Sequence, residues 1–161
     1  MLVAAQLQSL GLALLLVFGI IAFGLRSWRL TTTAIVPNLV PILVAFSLMA
    51  VLRLPLDAAT VMVASIALGI AVDNTSHVLE NVRRRQARGL PATEATEQTL
   101  CDIGPAMAAT TATACAGFLA LCTSDLVPIR AFGFLAAAAM VAAFAADALL
   151  LPAILVRGER A

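Results

Sequence analysis

The chain has 161 residues, 62% of them hydrophobic and 12% charged, with a net charge of +1 and a mean hydropathy of +1.03. Soluble domains carry roughly 25% charged residues, so this balance excludes a water-soluble globular domain and specifies an integral membrane protein. All ten basic residues are arginines, most of them in three clusters; their arrangement speaks to topology, and no nucleic-acid partner is expected.

Five stretches in chain order supply the about 20 mostly apolar residues that a spanning helix needs: about 2–25, 32–52, 58–82, 104–123 and 128–156. The expected fold is all-α, a polytopic membrane helix bundle with five transmembrane helices in a single domain, residues 1–161. The first stretch has no basic segment before it and no small-residue cleavage site after it, which reads as a retained helix. It ends at Leu25-Arg-Ser-Trp-Arg29, where Trp28 suits the headgroup layer and Arg26 and Arg29 supply positive charge. The second carries Pro37, Asn38 and Pro41 in its first turns, which reads as a packing kink. Arg53-Leu-Pro-Leu-Asp57 is a tight connection, with Asp57 placed to cap the third helix.

The third span holds Gly69-Ile-Ala-Val-Asp-Asn-Thr-Ser-His77 and runs into Arg83-Arg-Arg-Gln-Ala-Arg88. Residues 89–103 open with Gly89-Leu-Pro91 and read as a short amphipathic helix lying at the cytoplasmic face. Gly104-Pro105 opens the fourth span, where Thr110, Thr111 and Thr113 are expected to bond to their own helix backbone. Ser124-Asp-Leu-Val-Pro128 is a second short connection, and the last helix runs through an Ala-rich stretch to Asp147, Pro152 and Arg157. With five spans, eight arginines fall on one side and two on the other. The positive-inside rule then puts the N-terminus outside and the C-terminus in the cytoplasm.

Asp73 is the residue that needs a reason. An ionisable group in hydrocarbon costs roughly 2.5–3.5 kcal/mol even on lenient scales, and such groups mark proton, ion or substrate routes. Helical spacing puts Asp73, His77, Glu80 and Arg84 on one face. Asp73 and Asp147 each lie ten positions before an arginine, Arg83 and Arg157, hence about 15 Å inward along a helix. In hydrocarbon about 30 Å thick that is the midplane, and Thr111 and Thr113, counted inward from Asp102, reach a similar level. Asp73 is therefore expected to relay protons with Asn74 across a helix interface, supported by candidates among His77, Thr110, Thr111, Thr113 and Asp147. For His77 an interfacial position is the favoured reading, and for Asp147 snorkelling toward the cytoplasmic side. Cys101, Cys115 and Cys122 lack metal-ligand or paired spacing and read as small apolar fillers. No metal or cofactor is expected. A single His and no nucleophile–base pattern speak against an enzyme.

Val36-Pro-Asn-Leu-Val-Pro41, the Arg53–Asp57 connection, Gly69-Ile-Ala-Val-Asp-Asn74 with His77, Ala116-Gly-Phe-Leu-Ala120 and Ala146-Asp-Ala-Leu-Leu-Leu-Pro152 together resemble the resistance–nodulation–division (RND) superfamily. The closest branch is the MMPL-type exporters, related to sterol-sensing-domain proteins. The resemblance implies the five-helix block that follows a large extracytoplasmic domain, half of a larger transporter, with Asp73 and Asn74 on the motif that carries protons between halves. It implies export of lipids or hydrophobic compounds driven by the proton-motive force across the cell inner (plasma) membrane. Implied partners are the lipid bilayer, a hydrophobic or lipid substrate, and a companion chain or missing half in an oligomer. Asn74 stands where many members have a second Asp, and the resemblance implies that the leading helix, the extracytoplasmic domain and the other half lie outside these 161 residues. The other reading is a non-transporting lipid- or sterol-sensing or scaffold subunit.

Overall fold

The computed structural model describes residues 8, 11, 12, 15, 16, 19, 28–54 and 58–159. Its elements are α1 (Trp28–Val51), α2 (Ala58–Ala87), α3 (Ala92–Ala120) with a 3₁₀ turn at Leu121–Thr123, α4 (Val127–Ala145), a π turn at Ala146–Leu150, and α5 (Leu151–Glu159). Among the described residues there is no strand, and four helical stretches are long and apolar enough to cross a membrane: Thr33–Val51, Met62–Ala87, Ala92–Thr123 and Val127–Val156. These carry the second to fifth expected spans. The first, 2–25, lies outside the described residues except for six scattered helical positions, and Asp57 lies outside them too.

Helix ends follow from local chemistry. The Leu90 amide donates to Arg85 O and the Gly89 amide to Gln86 O, closing α2 with Gly89 at φ 93°. Only glycine takes that backbone at no steric cost. The same pair of bonds closes α1, where Leu54 N donates to Met49 O and Arg53 N to Ala50 O, but here the left-handed position is an arginine, at φ 51°.

Residues 89–103 do not form a separate surface helix. Ala92–Ala120 is one continuous helix with Pro105 inside it, and Ala92, Ala95, Thr96 and Thr99 are buried against the bundle. Proline has a helix-compatible φ and removes one backbone bond. The segment before it is held laterally by Arg85, which donates to Gln98 Oε1 at 2.7 Å and pairs with Asp102. Likewise α1 continues through Pro37 and Pro41.

Helix α4 packs on α1, α2 and α3, and α2 packs on α1 and α3. Toward one end of the bundle, Ala34, Val78, Leu79, Val82, Met107, Leu151 and Leu155 form an apolar core. Toward the other, Ala45, Met49, Val63, Ala67, Leu135, Ala136 and Ala139 form a second. Small residues on α4 allow close approach: a Cβ at Gly133 would sit 2.4 Å from Phe118 O on α3. Beside it, Phe118 and Phe132 meet edge to face with centroids 6.0 Å apart. Only 11% of the apolar window of Ala92–Thr123 is buried, against 39–44% for the other three described spans, so α3 is the edge among the described helices.

Candidate functional site

The polar residues of α2 divide between two faces. On the outer face Asp73, Asn74, His77 and Asn81 line a groove of about 440 Å³ between α2 and α3, closed on the far wall by Met107 and Thr110. Asp73 Oδ1 lies 3.6 Å from His77 Nε2, one turn away, and the two side chains are 74% and 70% exposed. Asn81 Nδ2 donates to His77 O at 2.9 Å, and Thr110 Oγ1 donates to Met107 O at 3.0 Å. Among the described residues Asp73 is therefore open and not enclosed at a helix interface. The physical reason is rotational: the opposite side of α2 carries the apolar stripe that packs into the core. Thr111 and Thr113 do not join the groove. Thr113 Oγ1 donates to Ala109 O at 2.9 Å, and Thr111 is buried with no partner for its hydroxyl among the described residues.

The inner face holds a polar layer between the two apolar cores. Asn38 on α1, Thr75 on α2 and Asp147 in the π turn are 0%, 0% and 1% exposed. Thr75 Oγ1 lies 2.6 Å from Asp147 Oδ1, 3.0 Å from Ala71 O and 3.4 Å from Asn38 Oδ1. Asn38 Nδ2 donates to Ala34 O at 2.7 Å. Asp147 does not snorkel. It shares an inward stripe with Met140, Ala143, Leu151 and Leu155, and the π turn, which adds a residue to the helical repeat, lies on that stripe. Asp147 meets α2 two residues, about 3 Å of helix rise, from Asp73, so the two acids do share a depth.

Asn38 read as part of a kink, and Thr75 was not singled out from the sequence. The signal was available in the spacing. Ala64, Leu68, Ala71, Thr75, Val78 and Val82 recur three and four apart and are all buried, so Thr75 lies on the most apolar stripe of its helix. Of the cysteines, Cys115 Sγ lies 3.6 Å from Ala137 O and Cys122 Sγ 3.8 Å from Arg130 O, thiols facing α4, whereas Cys101 is exposed. Among the described residues no group of three or more His, Cys, Asp or Glu side chains is placed to hold a metal ion.

Fold and site together define a polytopic membrane protein with acids at one depth in its helices. Residues 25–160 match the family model described as the sterol-sensing domain of SREBP cleavage-activation, and the chain belongs to that family. It is 33% identical over 146 residues to MJ1562 of Methanocaldococcus jannaschii, named as a membrane protein, covering 88% of this chain and 37% of that one. It is 31% identical over 125 residues to the multidrug resistance protein MdtC of Pectobacterium atrosepticum, covering 78% of this chain and 12% of that one. The chain thus spans a minor part of the length of each relative. The RND resemblance is borne out, and this is an RND-related multi-pass membrane protein.

Proposed function

We propose that this chain is the membrane block of a proton-motive-force-driven exporter of lipids or hydrophobic compounds, of the MMPL type, with Asp73 as the proton relay. The observation that carries this is the placement of Asp73. It is a 74% exposed carboxyl in the middle of a 26-residue apolar span, opening into a groove with Asn74, His77 and Thr110. An acid left bare to lipid at that depth is costly, so such groups face protein or a water-filled cavity. Coverage of the groove by a companion chain or the other half of the transporter, within an oligomer, meets that requirement. Asn74 and Thr110 then hydrogen-bond the relay, and His77 passes protons toward the arginine-rich end.

In this reading the block sits in the inner (plasma) membrane with the N-terminus outside and the C-terminus cytoplasmic, supported by the eight-to-two division of arginines. It moves substrate without covalent chemistry, and so is not an enzyme. Asp73→Asn in the complete, assembled transporter is expected to abolish gradient-dependent export with protein levels unchanged; export that persists overturns the assignment.

A second reading, a lipid- or sterol-sensing subunit that does not transport, is favoured by the family match over residues 25–160. Lipid binding that survives Asp73→Asn, without proton flux in vesicles, would select it.

A further inference from the structure

We propose that the Asn38–Thr75–Asp147 layer is a second proton-binding site, in which Asp147 holds the proton and Thr75 hands the hydrogen bond on to the α2 backbone. A count of hydrogens leads to it. Thr75 Oγ1 has three oxygens around it: Asp147 Oδ1 at 2.6 Å, Ala71 O at 3.0 Å and Asn38 Oδ1 at 3.4 Å. If Asp147 is ionised, all three only accept, and the hydroxyl has one hydrogen to offer. Among the described residues Asp147 Oδ2 is buried with no partner, an expensive position for half of a carboxylate's charge.

One proton on Asp147 Oδ1 gives the cluster a second hydrogen and removes the buried charge. The acid donates to Thr75 Oγ1, Thr75 donates to Ala71 O, and the chain of bonds runs in one direction. Asp147 Oδ2 becomes the carbonyl oxygen of a neutral acid, far cheaper to leave unpartnered in a dry interior. The hydrogen-bond partner of Asp147, Thr75 from α2, and Asn38 from α1 beyond it are both uncharged. Among the described residues no ion pair includes Asp147. Asp73 and His77, the ionisable groups nearest in level, stand on the other side of α2 in the open groove.

Release requires a water molecule admitted to the layer, which takes the proton. The Thr75 hydroxyl then swings from Ala71 O to the carboxylate, and Ala71 O keeps its helical partner, the Thr75 amide. Protonation of Asp147 is thereby tied to one rotor on the helix that also carries Asp73. The π turn at Ala146–Leu150 places this acid in a segment of the kind often found at functional sites.

The test is infrared spectroscopy of the full chain in lipid vesicles as pH is varied, with wild type, Asp147→Asn, Thr75→Val and Asp73→Asn compared. The expected result is a hydrogen-bonded carboxylic acid C=O band that vanishes in Asp147→Asn, moves to higher frequency in Thr75→Val and persists in Asp73→Asn. A band absent at every pH at which the chain stays folded, or surviving Asp147→Asn, overturns the proposal. Should Asp147→Asn fail to fold, Thr75→Val decides: a shifted band supports the site and an unshifted one removes it. The export assay on Asp73 reads a different residue, so the two assignments can fail separately.

Discussion

Asp73 and Thr75 are two residues apart, yet they live in opposite environments because two residues turn an α-helix by about 200°. The Asp73 face opens on a groove with its carboxyl 74% exposed; the Thr75 face is sealed between two apolar cores with its hydroxyl in contact with a buried acid. A polar run along one span is therefore not one site. One half stands open among the described residues, and the other is closed by them.

The sharpest way to break this contrast is to place the same side chain on each face. Thr75→Leu overfills the inner layer and removes the hydroxyl from Asp147, so it should lower the unfolding free energy in mixed micelles by about 2–5 kcal/mol. Asp73→Leu on the open face should change it by no more than about 0.5 kcal/mol. Equal losses would mean that the faces are not distinct. Next in size is Gly133→Ala, whose new Cβ meets Phe118 O at 2.4 Å; it should cost about 1–3 kcal/mol by forcing α3 away from α4. It should leave the Asp147 infrared band in place, since that cluster lies between α1, α2 and the π turn. A shift of the band would tie the two faces together through α3. Smallest is His77→Ala. It removes an exposed pair with Asp73, worth at most about 0.5 kcal/mol, and a larger drop in the denaturation midpoint would show that the groove is shut in the folded chain.

Much of this was legible in the residues. Apolar runs marked the four spans that the described structure contains, and Arg83–Arg88 marked the end of α2. Counting inward from arginines also set Asp73 and Asp147 at one depth, because helix rise is constant and needs no knowledge of partners. Residues 89–103 misled for a definite reason: Gly104-Pro105 looks like a helix boundary, but lateral bonds from Arg85 to Gln98 and Asp102 carry α3 across it. Asp147 misled because it lies near the chain end with an arginine beyond it, a local pattern that also fits snorkelling. Its burial depends on Thr75, 72 positions earlier in the chain.

The sequence alone determined that this is a multi-pass helical membrane protein with two acids at one level, since hydropathy and helical rise are properties of each segment by itself. Only tertiary packing decided which acid is sealed and which stands open. That choice is set by the rotation of α2 against α1 and α4, and helix rotation is fixed by the best burial of three stripes at once, a quantity no single segment contains.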